Sequence, residues 1–99
     1  LAEAVRQHEA WLAKDGRAGA RLVRRGMDMS SARLGGRNLS GCSLRDCRLD
    51  HADLRDSKLI AADLRGTTLV KTRLAGADLR RAVLDPGALE RVVGDDFRL

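Results

Sequence analysis

Leu34, Leu39, Leu44, Leu49, Leu54, Leu59, Leu64, Leu69, Leu74, Leu79 and Leu84 recur every fifth residue without a miss, and Met29 extends the series backwards. A period of five fits neither standard element. Five helical residues advance about 140° beyond a full turn, which smears the leucines around the cylinder. An odd spacing in a flat strand sends successive leucines to opposite faces. A chain that bends at every fifth residue satisfies the pattern, because each short face then points its central side chain at a common axis. The residues two before each member of the series are Met27, Ala32, Arg37, Cys42, Cys47, Ala52, Ser57, Ala62, Thr67, Thr72, Ala77 and Ala82. All but Met27 and Arg37 are small, as a narrow closed interior requires beside a large neighbour. The remaining positions are polar or glycine and suit corners and outward faces.

The stretches Ala52-Asp53-Leu54-Arg55-Asp56, Ala62-Asp63-Leu64-Arg65-Gly66 and Ala77-Asp78-Leu79-Arg80-Arg81 resemble the A-(D/N)-L-x-x unit of the pentapeptide repeat family. The resemblance covers residues 27–86. It implies an all-β solenoid, a right-handed quadrilateral β-helix of about three coils with twenty residues in each. Residues twenty apart then stack, placing Asp28 under Arg48, Arg33 under Asp53 under Arg73, and Lys58 under Asp78, so that opposite charges alternate up the columns.

The flanks read as caps, which a repeat stack needs at its open ends. Leu1, Val5, His8, Trp11 and Leu12 line one side of an amphipathic helix over residues 1–15, and Gly16 is placed to end it. This helix, with Trp11 and Leu12, is expected to lie over the first coil, and residues 16–26 to form a connector. At the other end Asp85-Pro86-Gly87 reads as a helix start. Leu89, Val92 and Val93 then follow at helical spacing, so a short C-terminal helix is expected within residues 87–99. The domain reading is therefore a helical cap and connector over 1–26, coils over 27–86, and a cap or tail over 87–99. Arg37 sits in an inward slot where an unpaired guanidinium is costly, and Asp15 or Glu9 of the lid is the expected partner.

Composition narrows the chemistry. The chain carries 19 basic and 14 acidic residues, a net charge of +5. Residues 1–26 hold six cations against three carboxylates, residues 27–86 eleven against eight, and residues 87–99 two against three. The positive charge on the coils is thus interleaved with aspartate. Arg17, Arg21, Arg24 and Arg25 form the densest basic cluster, a candidate for contact with phosphate or an acidic protein. The only aromatics are Trp11 and Phe97, so the coils offer no platform for base stacking, and nucleic acid is not the expected partner. Cys42, Cys47 and His51 form a C-x4-C-x3-H string. Both sulfurs fall on inward slots while His51 falls on a corner, so the cysteines read as small core residues and no cofactor or metal is expected. A filled rod offers no concave pocket for converging catalytic groups, and an enzyme is not expected.

The expected function is a non-catalytic protein–protein interaction scaffold or adaptor within a larger protein or assembly. Ile60, Val70 and Val83, the outward apolar residues of the coils, together with Arg24 and Arg25, are its candidate contacts, and the partner is another protein or a second copy of the chain. The alternative that the family resemblance implies is DNA mimicry toward type II topoisomerases such as gyrase. Members of that branch are longer, acidic, and carry Phe at the central position, from which this short, basic, leucine-only chain departs. No run of about 18 apolar residues is present, so no membrane role is expected. The opening residues do not read as a basic-then-apolar leader. The H-E-x-W-L string at His8–Leu12 resembles modules beside other domains in bacterial, phage- and secretion-related proteins. A bacterial cytoplasmic setting, or a place in a secreted or phage-like assembly, is the corresponding expectation.

Overall fold

The bend demanded by the five-residue period is visible in the backbone of the computed structural model, which describes all 99 residues. Positive φ recurs at Gly26, Ser31, Gly36, Gly41, Asp46, His51, Asp56, Ala61, Gly66, Lys71, Gly76 and Arg81, every fifth position in turn. Each of these follows a member of the leucine series, or Arg24 at the first corner, by two residues. Most corners are also closed by a hydrogen bond from the amide three residues after the leucine to its carbonyl, as from Ala52 to Leu49 and from Ser57 to Leu54. A left-handed third residue in a closed four-residue turn reverses the local direction of the chain. Glycine adopts that conformation without strain, and aspartate tolerates it better than most residues.

Four such corners bring the chain back on itself. Parallel pairing joins residues twenty apart in four ladders: Val23–Ser43–Asp63–Val83, Asp28–Arg48–Thr68, Arg33–Asp53–Arg73–Val93 and Asn38–Lys58–Asp78–Arg98. Only β1 (Val23–Arg25) and β2 (Ser43–Arg45) are continuous strands, and they pair in register. The other rungs are isolated bridges because the chain leaves each ladder to turn the next corner.

Inside, Met29 and the leucines from Leu34 to Leu79 are buried, and Leu84 at the open C-terminal end is half-buried. The small slots beside them hold Cys42, Cys47, Ala52, Ser57, Ala62, Thr67, Thr72 and Ala77, all buried. Their hydroxyls are satisfied by the backbone: Ser57 Oγ donates to the Leu54 carbonyl at 2.7 Å and Thr72 Oγ1 to that of Leu49 at 2.7 Å. A hydroxyl in the core therefore leaves no unpaired donor.

The lid is α1 (Ala2–Ala13), shorter than the expected 1–15 because Asp15 and Gly16 are both left-handed. Its contact with the coils differs from the expected one. Val5 and His8 are the residues buried against the stack, Trp11 and Leu12 are only half-buried, and Leu1 is exposed. Trp11 stacks on His8 instead, with ring centroids 5.5 Å apart. His8 is the bolt of this seam. Its Nδ1 accepts the Leu22 N–H at 2.8 Å, so the neutral ring carries its proton on Nε2, which donates to the Ser40 carbonyl at 2.8 Å. Gly19 lets the chain pass close to the helix, since a Cβ there would lie 2.3 Å from the Gln7 carbonyl oxygen.

Both expected boundaries shift outward. Residues 16–26 are more than a connector: Leu22 is buried beneath Cys42, and the ladders begin at Val23. At the other end the expected helix does not form. Residues 86–91 are turns, and Val93 and Arg98 continue two ladders by pairing with Arg73 and Asp78. Leu89 and Val92 pack half-buried against the core, whereas Val93 is exposed. Asp-Pro-Gly suits a tight turn as well as a helix start, and the unpaired edge of the preceding coil decides between them. No helix of the chain is long and apolar enough to cross a membrane.

Position in the stack sets the cost of losing a leucine. Leu54→Ala, with coils on both sides, is expected to lower stability by about 2–5 kcal/mol. Leu84→Ala at the half-buried end should cost about 1–2 kcal/mol, with urea unfolding monitored by circular dichroism as the measurement for both.

Candidate functional site

The ladders bring expected ion-pair partners side by side, yet four of the eight salt bridges close along the coil between residues two apart. Asp28–Arg48, Arg33–Asp53, Asp53–Arg73 and Lys58–Asp78 all stack as the twenty-residue repeat requires, but none of these pairs makes a salt bridge. Instead Asp53 binds Arg55 at 2.8 Å, Asp63 binds Arg65 at 2.7 Å and Asp78 binds Arg80 at 2.7 Å. The reason is local. In each Asp-Leu-Arg unit one carboxylate oxygen accepts the backbone N–H of the arginine, at 3.1 Å for Asp53. That turn aims the carboxylate at the fork of the same residue's guanidinium. Asp63 is thereby claimed by Arg65, and Arg45 Nε is left 4.0 Å from it, buried and without a hydrogen-bond partner.

These arginines hold the carboxyl groups of Asp53, Asp63 and Asp78 down to about 2, chiefly through the side-chain hydrogen bond, with the backbone N–H adding to it. At Asp50 burial pushes the pKa upward, but the Val70 amide at 2.9 Å and Arg48 at 3.2 Å hold the group below its ordinary value.

The expected partner surface is dispersed. Ile60 follows the Asn38–Lys58–Asp78 ladder and Val70 the Asp28–Arg48–Thr68 ladder, on opposite sides of the coil, while Val83 lies in a third ladder. Ile60 and Val70 are half-buried, and only Val83 is well exposed. The basic connector is largely committed to the structure: Arg21 donates to the Gly41 carbonyl at 2.7 Å, Arg24 to the Val23 carbonyl at 3.0 Å, and Arg25 pairs with Asp46 at 3.3 Å. Cys42 and Cys47 are free thiols in the core, and burial pushes Cys42 up to about 12. His51 is exposed on its corner, away from both sulfurs.

One concave feature stands out among the outward faces. A groove of about 890 Å³ runs along the Arg33–Asp53–Arg73–Val93 ladder, edged by Lys71 and His51 on one side and by Arg37 and Arg55 on the other. Five cations line it against one carboxylate, Asp53. Arg55 is occupied by Asp53, and Arg37 by Glu9 of α1, whose other oxygen accepts the Asn38 N–H at 3.0 Å. The inward-slot guanidinium thus escapes sideways to the lid, to the second of its two expected partners. Arg33, Lys71 and Arg73 are exposed and make no salt bridge. The sequence hides the groove because Arg33, Asp53 and Arg73 alternate in sign along one column. The available signal was the excess of two arginines over one aspartate in that column, with Lys71 at the adjoining corner.

A folded carboxyl pKa near 2 lies below the ordinary 3.8, so the Asp-Leu-Arg pairs stabilise the fold above 3.8 and lose that contribution as pH falls toward 2. The triple variant Arg55→Met, Arg65→Met, Arg80→Met is expected to flatten the fall in melting temperature between pH 5 and pH 2, roughly the window over which such pairs titrate.

No curated protein matches the chain at a significant level. The family model for pentapeptide repeats does match, in eight copies over residues 28–66 and 57–85, which together span more than half of the chain. The leucine and small-residue columns, the left-handed corners and this match lead to one conclusion: the chain belongs to the pentapeptide repeat family.

Proposed function

We propose that this chain is a right-handed quadrilateral β-helix acting as a non-catalytic scaffold or adaptor that presents a fixed face to a protein partner. The observation that carries this reading is the filled interior. Leucines and small residues occupy the axis, so the chain's chemistry is displayed on its outside, at positions held rigid by the ladders. Repeat stacks of this kind offer extended surfaces with regular side-chain spacing. A bacterial cytoplasmic protein, or a component of a secreted or phage-like assembly, is the setting we propose for it.

Mimicry of duplex DNA toward topoisomerases is a poorer reading, because a mimic needs a negative surface and this chain carries +5 with an open cationic groove. Nucleic-acid binding through the connector is also weaker, since Arg21, Arg24 and Arg25 are engaged within the chain.

The lysines of the coils make the test specific, because Lys58 and Lys71 lie on different faces. Amine-reactive crosslinking in the native host is expected to join one or both to a particular protein. Crosslinks confined to copies of the chain itself, or adducts removed by nuclease, would contradict the adaptor reading.

A further inference from the structure

We propose that the cationic groove along the Arg33–Asp53–Arg73–Val93 ladder docks an extended acidic segment of a partner protein. The proposal rests on the scaffold reading and names the chemistry of its partner. Charge complementarity carries it. Arg33, Lys71 and Arg73 are exposed, unpaired and gathered on one concave face, whereas Arg65 and Arg80 on other faces of the coils spend their guanidinium groups on Asp63 and Asp78 of their own units. Parallel rungs lie about 4.8 Å apart, so Arg33 and Arg73, two rungs apart, are separated by roughly 10 Å. Carboxylates on one face of an extended peptide recur at every second residue, about 6.6 Å apart at roughly 3.3 Å per residue, a step that the long, flexible side chains of Arg33 and Arg73 can meet.

The molecule already uses this recognition mode at the edge of the same groove. Glu9 of the lid lays its carboxylate against the Arg37 guanidinium while accepting the Asn38 amide. Asp53 does the same with Arg55 and that residue's own N–H. Arginine forks match planar carboxylates in two-point fashion, and three further cations continue the row. Val93, about half exposed, adds one apolar contact within the groove.

A nucleic-acid strand fits less well. The only aromatics are Trp11, stacked on His8, and Phe97, half-buried outside the groove, so bases would find nothing to stack on.

The probe is fluorescein-labelled hexaglutamate, followed by fluorescence anisotropy at low and moderate salt, with hexalysine, hexathymidylate and inorganic phosphate as comparisons. Binding of hexaglutamate that weakens with salt is expected, together with a loss of about tenfold or more in the Arg33→Gln, Lys71→Gln, Arg73→Gln variant. These positions are exposed, and glutamine does not repel Asp53, so the variant should unfold at an unchanged temperature. Equal binding by wild type and variant would overturn the proposal. So would a preference for hexathymidylate, displacement of the peptide by phosphate at matched ionic strength, or no binding at all. A host protein crosslinked through Lys58 alongside a negative peptide result would overturn this docking site while leaving the scaffold reading in place.

Discussion

The structure depends on one coupling: a left-handed residue at every fifth position turns the chain, and the leucine two residues before it fills the axis that the turning creates. Neither half suffices alone. Seven of the twelve successive corners from 26 to 81 are not glycine, and left-handed backbone costs an L-residue roughly 1–2 kcal/mol. What offsets that strain is the burial of a leucine at each step, at about 1.5–3 kcal/mol per side chain, and the ladder bonds that become available once twenty residues close a coil. Local strain and long-range stacking are therefore set against each other at every turn. The stack is cooperative for that reason.

The same coupling explains which parts of the molecule could be read from residues alone. The leucine column and its small neighbours are visible because both repeat without interruption and each repeat has one steric meaning. The lid helix is legible from its periodicity and from Gly16, and Arg37 announces its need of an acid by standing in an inward slot. The C-terminal path is different. Asp85-Pro86-Gly87 is locally ambiguous, and the free edge left by Arg73 and Asp78 recruits Val93 and Arg98, a choice made by tertiary pairing. Leu22 is hidden for a related reason: it fills a small-residue column while Arg24 holds the leucine position, so the first unit inverts the pattern.

The charges show how local geometry overrides proximity. Stacking places Asp53 between Arg33 and Arg73, but its carboxylate turns to Arg55 because the Arg55 amide has already oriented it. Column arithmetic finds the neighbours without finding the bonds. The consequence is functional, since satisfying aspartate along the coil leaves Arg33 and Arg73 free and turns a column of alternating charge into a cationic groove. A surface for recognition emerges from the same turn that closes each corner.

The period-twenty ladder is most directly tested by through-space proton contacts measured by nuclear magnetic resonance in solution. Backbone protons of Asp53 are expected to contact those of both Arg33 and Arg73, and those of Lys58 the protons of both Asn38 and Asp78. Contacts confined to residues three and four apart through the leucine region, with none at a separation of twenty, would contradict it.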